Sequence, residues 1–162
     1  MTAGIEFTEL LDYTAQETQR WKQFFVTNPS ALDLPIDIAD AGTVRALVKH
    51  IFVVELYFAL LVSDSLLPDF EALPVANLDE LFQISENADA KYRQFIAKAN
   101  QEDWNSKVEL KSRRVSGFSK RKAVTQALTH SMRHWAQIST FLRQQGLKQD
   151  WNHDFLMSAA MQ

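Results

Sequence analysis

His130-Ser131-Met132-Arg133-His134-Trp135-Ala136-Gln137-Ile138 lies inside a helical stretch that runs from Ser119 to Gly146. At about 100° per residue, a helix stacks His130 over His134, in a row with Ala123, Ala127, Ile138 and Phe141. That row is apolar and faces inward, while Arg121, Lys122, Gln126, Arg133, Ala136, Arg143 and Gln144 fall on the opposite side. Two imidazoles therefore stand where a core wants Leu or Val, and buried rings of this kind need partners. Hydrogen-bond acceptors would serve, and so would a metal, because His at i and i+4 is a common way for one helix to supply two ligands.

Outward from this stretch, composition limits what can face the pair. With 46% hydrophobic residues and only 4 Gly and 4 Pro among 162 residues, the chain reads as one domain, 1–162, built from few, long elements. Cysteine is absent, so a disulfide framework and a thiolate site are both excluded, and any metal falls to His, Asp or Glu. A formal charge of −3 argues against a nucleic-acid partner, which calls for a basic surface. Glu6, Glu9 and Asp12 interrupt the start of the chain where a secretory signal would be apolar, and a cytoplasmic location is expected.

A second helix is expected from about Thr43 to Ser65, apolar on almost every side, with Glu55 the one charge between Ile51 and Val62. A membrane span needs ~18 or more such residues, so a helix buried on most faces is the reading, with a second subunit of a homodimer covering part of it. His50 shares a stripe with Leu47, Val54, Tyr57 and Leu61 and also points inward. The first helix covers Phe7 to Phe25 and stops before Pro29; Ala31 to Gly42 reads as a loop. The third starts at Asn77, with Glu80 completing a variant capping box, and runs to about Asn100; Leu66 to Ala76 before it reads as a loop. Asp89 lies on the third helix's inward face, either as a partner to an imidazole or as an edge carboxylate reaching solvent.

Between Trp104 and Phe118 the helical period breaks, and Val108 and Leu110 alternate with Lys107, Glu109 and Lys111, as a short β-hairpin or extended crossover would. Ser119 caps the last helix, Gly146 ends it, and a tail holding Trp151, His153 and Phe155 packs back. The fold class is all-α: a four-helix bundle with that hairpin before the last helix. Bundles build metal sites from inward side chains, so His50, His130 and His134 are the candidate ligands of a divalent ion; hydrogen-bonded core histidines are the alternative. Lys107, Lys111, Arg113, Arg114, Lys120, Arg121 and Lys122 make a basic cluster that reads as a solvated loop or an anion pocket.

The inward His of His50-Ile51-Phe52-Val53-Val54-Glu55, the His130-x-x-x-His134-Trp135-Ala136-Gln137-Ile138 run and the Phe141-Leu142-Arg143-Gln144-Gln145-Gly146 ending together resemble the DinB/YfiT-like superfamily. Its last helix typically carries a second His four residues after the first, then Arg-Gly-Gln; here Trp135 and Ala136 stand for Arg-Gly, and nothing that arginine does is carried over. The resemblance implies a homodimeric bundle holding zinc, nickel, iron or manganese at the positions of His50, His130 and His134. It also implies a small-molecule substrate, with activities described as transfer to or from low-molecular-weight thiols, isomerisation or hydrolysis.

Ser131 occupies the place of the glutamate in a zincin motif, so the usual peptidase base is missing. With no Cys in the chain, a reacting thiol has to come from a cofactor or substrate. Three neutral imidazoles leave positions open for water or a thiolate, which favours a metal-dependent enzyme, a thiol transferase ahead of a hydrolase. The alternative is a non-catalytic, stress-related protein that uses the bundle as a ligand pocket or dimer scaffold.

Overall fold

Each long helix carries its own start and stop signals in the computed structural model, which describes residues 4–108 and 117–160. Helix α1 (Phe7–Thr27) opens where the Glu9 carboxylate accepts the Glu6 N–H at 2.6 Å and ends ahead of Pro29. Thr43 caps α2 (Val44–Val62) by accepting the Ala46 N–H at 3.2 Å. Asn77 caps α3 (Leu78–Ile96), with the Glu80 carboxylate reaching back to the Ala76 N–H, one residue beyond the usual capping box. After a single turn, α4 (Gln101–Asn105), Ser119 caps α5 (Lys120–Gln144). Gly146, at φ 81°, closes α5: its N–H reaches Arg143 O while the Leu147 N–H reaches Leu142 O, the paired bonds of a Schellman motif.

One of the connections is more structured than the sequence suggested. The segment expected as a loop, 31–42, falls within a 3-10 turn (Pro29–Asp33) and strands β1 (Pro35–Ile38) and β2 (Ala41–Thr43), which pair antiparallel across Ala39-Asp40. Both turn residues have positive φ, 53° and 59°, as a type I′ hairpin demands, but neither is the Gly or Asn that announces one. The expected second hairpin is present in its arms, with β3 (Lys107–Val108) paired to β4 (Phe118–Ser119). Glu109, Leu110, Lys111, Arg113, Arg114 and Val115 lie outside the described residues.

Helix α2 packs on α3 and α5, and α1 packs on the same two, so the four long helices close a ring around one core. Trp21 and Phe25 of α1, Phe52 of α2, Phe82 of α3 and Ile138 of α5 are fully buried in it. The all-round apolarity of α2 follows from its position: both flanks are covered by helices, and the half-buried Tyr57 and Phe58 meet Phe70 and Phe118. Much of the cover ascribed above to a second subunit is thus provided within the chain. The tail folds back over α1, setting Trp151 edge-on to Trp21 at 5.2 Å. No helix among the described residues is long and apolar enough to cross a membrane.

Candidate metal centre

Packing α2 against α5 fixes the histidines, because His50 stands on the face of α2 that meets α5, and His130 and His134 stand one turn apart on α5. His130 and His134 are buried and His50 half-buried. The Nε2 atoms of His50 and His134 each lie 3.1 Å from Nε2 of His130, and one ring nitrogen from each of the three falls within 4.8 Å of the others. Three nitrogens bound to one ion at about 2.0–2.1 Å would stand about 2.9–3.4 Å apart, a range that holds both 3.1 Å spacings.

Electrostatics leave the rings neutral, with lone pairs available. Burial pushes the His130 imidazole down to about 4, with His134, His50 and Arg133 adding to the shift. The other two are also lowered, His50 by burial and Arg133, His134 by burial against an opposing hydrogen bond that its ring donates to Gln137. That bond, 2.7 Å from His134 Nδ1 to Gln137 Oε1, puts the His134 proton on Nδ1 and turns the Nε2 lone pair to the cluster. The neutral rings cannot satisfy one another. His130 Nδ1 is buried without a partner, and giving the ring proton to either nitrogen leaves that atom an orphan donor or an orphan acceptor. An ion at Nε2 would make Nδ1 the proton-bearing atom and use the converging lone pairs together.

Other polar residues separate from this cluster. Asp89 is not brought to an imidazole; its Oδ2 accepts from Arg93 Nε at 2.7 Å, and the partner place belongs to Gln137. Gln137 stood in the quoted motif three residues after His134, and that spacing on one helix was the signal for it. His153 lies elsewhere: Nδ1 is 2.6 Å from Glu17 Oε2, and the ring stacks on Trp21, which clasps the tail to α1. Although burial raises the Glu17 carboxyl, hydrogen bonds from His153, Trp151 and Arg20 outweigh it and hold the value low. From the basic cluster, Lys120 is committed to Asp64 at 2.6 Å.

Glu55 and Ser131 carry a role that the sequence did not reveal. Glu55 is buried; Oε1 accepts from Ser131 Oγ at 2.5 Å and Oε2 from Ser85 Oγ at 2.8 Å, while its backbone carbonyl accepts from Tyr92 at 2.9 Å. Ser131 therefore turns from the zincin-base position into a different polar node that ties α2, α3 and α5 together.

Comparison with known proteins agrees with this architecture. A structure of the DinB-like protein YjoA from Bacillus subtilis superposes with a TM-score of 0.60 at 14% identity, covering 86% of this chain and 91% of that one. No curated protein sequence matches this one. The DinB family model matches residues 2–160, which is nearly the whole sequence, and the chain belongs to the DinB family.

Proposed function

We propose that this protein is a metal-dependent enzyme in which a four-helix bundle holds one divalent ion between His50, His130 and His134. The observation that carries the reading is the convergence of three neutral imidazoles, with Nε2 of His50 and of His134 each 3.1 Å from Nε2 of His130. A bound ion would supply Lewis acidity, lowering the pKa of a coordinated ligand and polarising an electrophile. The chain's own part is positional: α5 spaces two ligands, α2 brings the third, and Gln137 fixes the tautomer and tilt of His134.

Transfer involving a small thiol fits this centre better than hydrolysis. Among the described residues no carboxylate joins the three imidazoles in the group within 4.8 Å, and Ser131 is engaged by Glu55, so neither offers a base to activate water. A thiol needs less help, since its pKa already lies near 8.5.

Protein purified without nickel resin is expected to carry one divalent ion per chain, and His130→Ala/His134→Ala none; one-to-one loading of that double variant would refute the site. Zinc, manganese, iron and nickel forms are then screened with low-molecular-weight thiols and electrophilic acceptors. Thiol-dependent turnover absent from His134→Ala supports the transferase; ester or amide cleavage with no thiol dependence would replace it with a hydrolase.

A further inference from the structure

Arg133 is exposed, yet its guanidinium is not free of the centre: Nη2 stands 3.4 Å from His134 Nε2. That nitrogen carries the lone pair a metal would take, because the His134 proton is held on Nδ1 by Gln137. Filling the centre therefore deprives Arg133 of its acceptor there. No ion pair joins Arg133 to a carboxylate among the described residues, a state it shares with Arg121 and Arg143, whereas Arg20, Arg45 and Arg93 each have one.

The charge around the cluster points the same way. Arg133 helps to lower all three imidazoles, and among the described residues no Asp or Glu joins them in the group within 4.8 Å. A ligand set of three neutral rings leaves the full charge of a divalent ion uncompensated, and the nearest fixed charge adds to it. Such an excess, partly withdrawn from water, draws an anion into the remaining positions. A guanidinium is a planar fork of N–H donors that matches a carboxylate with two parallel bonds, a geometry that an ammonium or a helix end lacks.

We propose that Arg133 is a specificity-determining residue that receives the carboxylate of a small organic acid bound at the three-histidine centre. The substrate class is accordingly a carboxylate-bearing thiol or acceptor. The inference rests on the metal reading above and goes beyond it in naming the anion and the residue that selects it. Arg133 precedes His134 on α5 and projects at the rim, so its loss leaves the ligands, Gln137 and the core in place.

The test uses the full chain loaded with cobalt(II), whose absorption spectrum reports what joins the ion. 3-Mercaptopropionate and its methyl ester offer the same sulfur, and only the first offers a carboxylate. Cobalt content is measured in every sample before titration. Wild-type protein is expected to bind the acid about tenfold more tightly than the ester. Arg133→Gln is expected to bind the ester as wild type does while losing most of that preference, and Arg133→Lys to recover part of it. A preference for the acid that survives in Arg133→Gln, or no preference in wild type, overturns the role of Arg133 with the metal reading intact. Failure of the wild type to take up cobalt stoichiometrically overturns both.

Discussion

Helices α2 and α5 share two buried polar nodes, and they are built to opposite rules. At Glu55 both carboxylate oxygens receive a hydroxyl, from Ser131 and Ser85, and the backbone carbonyl receives Tyr92. At the three histidines the lone pairs converge and a ring nitrogen is orphaned. A closed network rigidifies a core and specifies which helices meet; an open one leaves converging lone pairs that a ligand can take up. Polarity inside a bundle is therefore no sign of a site until its hydrogen bonds have been counted.

Removing Glu55 should give the largest change in stability. Glu55→Ala strips Ser85 of its acceptor and leaves a cavity, at a cost of about 2–4 kcal/mol. Glu55→Gln keeps the volume and one acceptor oxygen and should cost about 1 kcal/mol. Urea unfolding of metal-free protein reads both. Metal stoichiometry unchanged in either variant upholds the separation of the nodes, and loss of metal in Glu55→Gln would break it.

The nodes should also respond to pH with opposite signs. Burial raises the Glu55 carboxyl to about 7, against the hydrogen bonds from Ser131 and Ser85, so the native state retains a proton that the unfolded chain releases near 4.5. Its contribution is full below the unfolded value and is lost as pH rises through about 7, on the order of 3 kcal/mol. The imidazoles are lowered, and their contribution is instead present above the unfolded value of 6.5 and lost as pH falls, towards about 4 for His130. Stability of metal-free Glu55→Gln measured between pH 4.5 and 7 should therefore fall with acid more steeply than that of wild type. Parallel curves would show that Glu55 does not titrate in this window.

Gln137 tests the open node without emptying it. Gln137→Ala frees His134 Nδ1 and should weaken metal binding roughly 10–100-fold with the same stoichiometry, while Gln137→Glu, which gives Nδ1–H a charged acceptor, should bind at least as tightly as wild type. Competition with a chromophoric chelator measures the order; equal affinity in all three proteins would remove Gln137 from the centre.

These nodes were unequally legible in the sequence. His50, His130 and His134 could be found because a helical stripe is periodic and a polar ring on it is conspicuous. Glu55 was noticed as a lone charge, but nothing local says that Ser85, thirty residues on, and Ser131, on another helix, supply its hydrogens. The Ala39-Asp40 hairpin was missed because its turn chemistry departs from Asn-Gly, leaving the pairing of Ile38 with Ala41 as the evidence. The clasp of His153 on Glu17 joins residues 136 apart in sequence, where periodicity has nothing to report.

Ser131 lies between two proposed ligands in sequence and belongs to the other node in space, so Ser131→Ala separates the two with the smallest perturbation. Its hydroxyl is shared between Glu55 Oε1 and Ala127 O, at 2.5 and 3.1 Å, and a helix interior accepts Ala without strain. Loss of one shared hydrogen bond should cost about 1 kcal/mol. Because that bond favours the ionised carboxylate, its removal should raise the Glu55 pKa above its present value near 7 and move the pH-dependent loss of stability to more alkaline pH. The histidine cluster should keep its geometry, since the bonds that join its rings run among His50, His130, His134 and Gln137 and those of Glu55 run to Ser85 and Ser131, and metal affinity should stay within about threefold of wild type. A variant that lost metal affinity as Gln137→Ala does, with the stability profile unmoved, would place the Ser131 hydroxyl in the metal centre and merge the two nodes into one.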